Sequence, residues 1–144
     1  MKARTLILIG AVALAIGGWY GYSEFSRGHA DLSGSKEDFA LDAHELLAAF
    51  VNDEAAANSQ YVEKVVKVKG VIREVVLSDG TAPANVTLDT GDEMAGIACE
   101  FKQGTVPAAW KAGSKVHVKG VCTGYTGGGM LPGDVILQRC VAVE

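Results

Sequence analysis

The chain has 144 residues, a length that accommodates one ordinary domain and a short additional segment. It carries 13 Lys and Arg against 17 Asp and Glu, and this net charge of -4 argues against a protein whose whole surface binds phosphate backbones. Hydrophobic residues account for 49% of the chain and Pro for only three positions, which excludes an intrinsically disordered chain.

The N-terminal segment has the pattern of a membrane-spanning helix. Thr5 to Ser23 is a run of 19 residues without a charge, and Lys2 and Arg4 precede it. As a helix this run would be roughly 28 Å long, close to the thickness of a bilayer core. We therefore expect a cytoplasmic N-terminus over 1–4 and a single-pass anchor over 5–23. A cleaved signal peptide is the alternative, although its apolar region usually has only about 7–15 residues.

The cations before this run place the rest of the chain outside the cytosol, in the periplasm or another extracytoplasmic space. Residues 24–38 are polar, with several Gly and Ser, and predict a linker between the membrane and the folded domain. The folded domain is then expected over 39–144.

At the start of this domain the apolar residues recur with the period of a helix, and further along they alternate with polar residues. Asp42, with Glu45 three residues later, is typical of a helix N-terminus, and a second helix is expected to end near Tyr61. Beyond it, valines alternate with polar residues and predict short strands. They cover about 66–76, 85–88, 96–101, 116–121 and 135–143, with one helical turn after Pro107. This order predicts a mainly β domain, a small closed barrel of five strands with an N-terminal helical segment.

The order of these elements resembles the OB-fold, a five-stranded Greek-key barrel. More narrowly, the chain resembles the membrane-anchored bacterial OB-fold family called tRNA_anti-like. The segments that carry this resemblance are the N-terminal anchor, LLAAFVNDEAAANSQY, KVVKVKGVI, IACEF, KVHVKGVCTGY and LQRCVAV. The resemblance covers roughly residues 39–144. It implies a fold and a location, and it brings no catalytic residues.

The usual OB ligand face would hold Asn85, Thr87, Asp89, Glu100 and Phe101 in this chain. Oligonucleotide-binding OB domains use aromatic side chains for stacking and cations for the backbone. Only Phe101 is aromatic here, and residues 31–144 contain ten Lys and Arg against sixteen Asp and Glu, a net charge of -6. These features argue against nucleic-acid binding, which stays the alternative function.

A cationic patch is the most distinctive feature of the predicted barrel. Its members lie on two strands that are neighbours in an OB barrel and share the pattern V-x-V-K-G-V: Lys67, Lys69, His117 and Lys119. We expect them on one outward face, where they would contact an anionic lipid headgroup, an envelope polymer or an acidic partner protein. A solvated outer face without a partner is the alternative. Tyr125, in the glycine-rich loop before the last strand, is a further candidate for a binding contact.

Cys122 and Cys140 are expected to face each other across the last hairpin and to form a disulfide outside the cytosol. Cys99 would remain a buried thiol, and three reduced core cysteines are the alternative. The spacing of His, Cys, Ser and carboxylates matches no nucleophile–base arrangement, metal site or cofactor fingerprint. The sequence therefore predicts a non-catalytic, membrane-anchored OB-fold binding or adaptor module, without metal or cofactor, whose ligand is unknown.

Overall fold

A computed structural model describes residues 3–26, 32–128 and 130–143. The chain divides into two compact units, Met1–Ala30 and Asp31–Glu144. The first unit contains helix α1, Ala3–Ser26, which includes the expected anchor over 5–23. Within the described part of the chain, no helix has the length and apolar character needed to cross a membrane.

The second unit begins with a 3-10 turn (Leu32–Gly34), a short strand β1 (Phe39–Asp42) and two helices, α2 (Ala43–Asn52) and α3 (Glu54–Tyr61). The predicted helix start at Asp42 and the predicted end of the second helix at Tyr61 are confirmed. The Asp42 N–H donates to the Glu45 carboxylate at 3.1 Å, and the Asp53 carboxylate accepts from the Ala56 N–H at 3.0 Å. These contacts satisfy donors that the first turn of a helix leaves free.

Five longer strands form the barrel: β2 (Val65–Val76), β3 (Ala84–Asp89), β4 (Gly96–Phe101), β5 (Lys115–Tyr125) and β6 (Val135–Val143). The pairing order is β2-β3-β4-β6-β5, and β5 pairs again with β2 and closes the barrel. The predicted mainly β barrel is therefore confirmed. Its core includes Val66, Val68, Ile72, Val86, Leu88, Ile97, Phe101, Val118, Val135 and Leu137, together with Leu46 and Phe50 of α2.

Strand β1 and the turn before it are missing from the sequence-based expectation. β1 runs parallel to the first half of β2, over residues 66–69, while β3 pairs with the second half. Leu32 is buried, and Asp38 is hydrogen bonded twice to Val65, through its N–H at 2.8 Å and its carboxylate at 3.0 Å. Residues 32–38, expected as part of a free linker, thus form a strap that packs on the barrel.

Candidate functional site

The barrel brings the predicted cationic side chains together. On the outer face, Lys67 of β2 lies opposite Lys119 of β5, and Lys69 lies opposite His117. The valines between them, such as Val118, point into the core, as the alternation of a strand requires. β1 extends the same rows, because Asp42 is the partner of Lys69 on its other side.

The expectation that all four cations face solvent is wrong for Lys119. Its side chain lies under the strap and the residue is only 6% exposed. Its ammonium group donates to the carbonyls of Ser35 at 2.7 Å and Ser33 at 3.4 Å, and it lies 3.8 Å from the Glu37 carboxylate. The strap supplies these acceptors, which satisfy the buried charge. Lys119 therefore has a structural role, because it holds the strap on the barrel.

The other three cations line a groove of about 360 Å³. Three carboxylates, those of Glu37, Asp42 and Glu45, line it as well, so that the patch is mixed in sign rather than purely cationic. The groove residues are Glu37, Ala40, Leu41, Asp42, Glu45, Lys67, Lys69 and His117. The pKa of Glu37 is held below its usual value, chiefly by a hydrogen bond from its own backbone and further by the charges of Lys119 and Lys67. Sequence analysis did not place these carboxylates beside the cationic residues, because it did not predict that β1 and the strap pack next to β2.

His117 has an unusual position in this groove. Its Nδ1 atom is buried and has no hydrogen-bond partner among the residues that the structure describes. A buried ring nitrogen without a partner is uncommon, because the lost hydrogen bond costs free energy. Since the His117 residue also lines the groove, a ligand or water bound there would be able to supply the missing partner once it reaches this atom.

The predicted OB ligand face differs from expectation at its aromatic residue. Asn85, Thr87 and Asp89 point outward on β3, whereas Phe101 on β4 is completely buried and packs edge-on against Trp110 at 5.8 Å. Phe101 therefore cannot serve as a stacking platform on that face. Asp89 is paired with Arg73 at 2.9 Å.

The Asp89 carboxylate is also held by the turn that follows it. It accepts a hydrogen bond from the Gly91 N–H at 3.0 Å. This bond, followed by the bond from Arg73, keeps the pKa of Asp89 below its usual value. Arg73 donates further hydrogen bonds to the carbonyls of Asp92 and Ala95. Its guanidinium group is therefore engaged by contacts within the protein.

Tyr125 packs against the domain and is not presented on the surface as a binding contact. Its ring stacks on Phe50 of α2 with centroids 5.8 Å apart, and its hydroxyl accepts from the Gly133 N–H at 3.3 Å. It thereby ties the glycine-rich loop to the barrel. Met130, near the tip of that loop, is 96% exposed.

The predicted disulfide between Cys122 and Cys140 is not formed. Both residues lie within the described chain, and both are buried free thiols, as is Cys99. Cys122 lies opposite Leu137 instead of Cys140, because the hairpin is centred near residue 130, with Tyr125 paired with Val135, and an irregularity shifts the register there by one further residue. The prediction placed the centre of the hairpin one residue too late and assumed an unbroken ladder.

A second cavity, of about 350 Å³, lies beside the end of β2, and sequence analysis did not anticipate it. It is mainly apolar and is lined by residues that include Val75, Leu77, Val106, Pro107 and Trp110. In the described residues, no group of three or more His, Cys, Asp or Glu is placed to hold a metal ion.

Comparison with known proteins supports the fold. The tRNA_anti-like family model matches residues 1–141. A proposed nucleic acid-binding lipoprotein from Klebsiella pneumoniae has 23% identity and a TM-score of 0.50, over 72% of this chain and 91% of that chain. A proposed aspartyl-tRNA synthetase from Leishmania major has 11% identity and a TM-score of 0.44, over 76% of this chain and 21% of that chain. No protein with a curated description matches the chain. Because the family model extends over nearly all of it, this chain belongs to the tRNA_anti-like family.

Proposed function

We propose that the protein is a non-catalytic binding or adaptor module that acts outside the cytosol and is held at the membrane by its N-terminal apolar segment. The uncharged run from Thr5 to Ser23, with Lys2 and Arg4 before it, supports this location. The name of the Klebsiella neighbour, a lipoprotein, is consistent with a membrane-associated relative.

The location can be tested with reporter fusions to the C-terminus of the full chain. An alkaline phosphatase fusion is expected to be active, and a fusion to a reporter that functions only in the cytosol is expected to be silent. The reverse pattern would refute the proposed orientation. Recovery of a soluble product that begins after the apolar run would support the cleaved alternative.

The groove is the proposed binding site, and its ligand is an anionic group of an envelope component or of a partner protein. The observation that carries this proposal is the unpartnered Nδ1 of His117, buried beside Lys69 in the same groove. Lys67 and Lys69 supply positive charge to the ligand, while Glu37, Asp42 and Glu45 limit its size and orientation by repulsion. Binding is expected to be weak and sensitive to salt, since the lysines are partly exposed.

Flotation with lipid vesicles tests this site on the unit 31–144, once circular dichroism shows that it is folded. The unit is expected to bind phosphatidylglycerol vesicles at low salt, and to bind phosphatidylcholine vesicles much less. Lys67→Glu/Lys69→Glu should weaken binding by at least about 30-fold, because each lost cation contributes about 1 kcal/mol near an anionic surface and each new carboxylate adds repulsion. Lys102→Glu/Lys111→Glu is the matched control, because both lysines are exposed outside the groove. Equal binding by the two variants would contradict the proposal.

Oligonucleotide binding is the second candidate function, because the Klebsiella neighbour is named as a nucleic acid-binding protein. The buried Phe101 and the carboxylates on β3 and β4 disfavour stacking on the usual OB face. Single-stranded oligonucleotides can be titrated into the same unit at low and high salt. Binding that survives Lys67→Glu/Lys69→Glu would support this candidate and place the nucleic acid outside the groove.

A further inference from the structure

Cys99 on β4 and Cys140 on β6 lie on neighbouring strands, and both side chains are buried in the barrel core. The two strands are parallel, with Cys99 paired with Leu137 and Phe101 paired with Cys140. Cys99 is therefore two residues before Phe101, the partner of Cys140. Cys140 is three residues after Leu137, the partner of Cys99. Both side chains therefore enter the same core from neighbouring strands.

An irregularity in β6 turns Cys140 toward Cys99. Between these pairs β4 advances two residues, from Cys99 to Phe101, while β6 advances three, from Leu137 to Cys140. Arg139, within this step, adopts a left-handed backbone with φ 53°. Since strand side chains alternate, Cys140 would point outward from the barrel without the additional residue.

The two thiols also lie near enough to influence each other, although the hydrogen bonds of each sulfur are to a backbone carbonyl of its own strand, Ile97 for Cys99 and Leu137 for Cys140. The neighbouring Cys140 thiol is the largest cause of the raised pKa of the Cys99 thiol, and burial raises it further. Cys140 is packed tightly from the other side by β5, where a Cβ atom on Gly120 would lie only 2.6 Å from its sulfur. Cys122 differs, because burial raises the pKa of its thiol and neither of the other two cysteines contributes to the shift.

We propose that Cys99 and Cys140 form a disulfide that joins β4 to β6 when the chain meets an oxidising disulfide, while Cys122 stays reduced. In the cell this inference rests on the proposed extracytoplasmic location, where protein or small-molecule disulfides act as oxidants. The thiolate of one cysteine attacks a sulfur of the oxidant and releases one thiol. The thiolate of the other then attacks the mixed disulfide and releases the second thiol. Two protons and two electrons thus pass from the cysteines to the oxidant.

Peptide mapping of the full chain tests the pairing. The chain in detergent is reduced, unfolded and refolded with oxidised glutathione, and free thiols are then alkylated under denaturing conditions without reductant. The expected result is a link between the peptides that contain Cys99 and Cys140, with only Cys122 alkylated. Three alkylated cysteines, or any link to Cys122, would overturn the proposal.

Thermal unfolding provides a second readout. The bridge would close a loop of about 40 residues, so reduction should lower the Tm of the wild-type chain and of Cys122→Ala by on the order of 10 °C. Cys140→Ala should show no response to reductant, and a Cys122→Ala chain without a response would overturn the proposal. Mapping of the chain isolated from membranes separates the two ideas. A bridge found after refolding but not in cells supports the pairing and counts against the proposed location.

Discussion

Lys119→Met removes the ammonium group that holds the strap against the barrel and keeps most of the apolar length of the side chain. The principal loss is the hydrogen bond to the Ser35 carbonyl at 2.7 Å, since the bond to Ser33 at 3.4 Å is long. A hydrogen bond from a charged donor contributes about 1.5–3 kcal/mol. The pair with Glu37 at 3.8 Å adds little, because that carboxylate is partly exposed. Met also avoids the desolvation of a charge. We therefore expect a net loss of about 1–3 kcal/mol of unfolding free energy.

Urea unfolding followed by circular dichroism measures this loss, with Lys115→Met as the control. Lys115 lies on the same strand and is exposed, so its replacement should change the unfolding free energy by less than about 0.5 kcal/mol. Hydrogen exchange locates the effect. The Asp38 amide, which donates to the Val65 carbonyl at 2.8 Å, should exchange faster in Lys119→Met, while the β3 and β4 amides should change much less. Equal stability of the two variants and unchanged exchange at Asp38 would refute the structural role of Lys119.

Two further predictions concern close packing and acid stability. Gly120→Ala should cost about 1–3 kcal/mol in thermal unfolding, because its Cβ would lie 2.6 Å from the Cys140 sulfur, whereas Gly34→Ala, with open space around it, should be nearly neutral. The pKa of Asp89 is lowered in the folded state, so its contribution to stability is present above its unfolded pKa and is lost as the pH falls through the folded one. Asp89→Asn should therefore weaken the dependence of Tm on pH below about pH 4, which is near the ordinary pKa of an aspartate, and an unchanged dependence would contradict this assignment.

The strands could be predicted from sequence because their pattern is local. Val66 and Val68 on β2, and Val116 and Val118 on β5, point inward as their alternation indicates. The pairing of Lys67 with Lys119 followed from the order of strands in an OB barrel. The prediction that Phe101 lies on the outward ligand face could have been avoided. Residues next to each other in a strand point to opposite faces, so it could not share the outward face of Glu100.

The strap and the register could not be predicted in the same way, because both depend on distant contacts. Residues 32–38 are polar and lack periodicity, and they are ordered by groups more than 25 positions away, as the hydrogen bonds from Lys119 and with Val65 show. The irregularities of the β5–β6 ladder include a non-glycine residue, Arg139, in a left-handed conformation. Sequence rarely marks such a position, since glycine is the residue usually found there.

The mixed charge of the groove limits the kind of ligand that the proposed site would accept. A polyanion attracted only by net charge would be repelled by the acidic domain, and the three groove carboxylates strengthen that repulsion beside Lys67 and Lys69. A single anionic group with a hydrogen-bonding neighbour fits better, because it can pair with Lys67 or Lys69 and satisfy Nδ1 of His117 while its remainder avoids the carboxylates. The strap holds Glu37 at the groove through Lys119, so selectivity for such a group depends on the same contact that stabilises the fold.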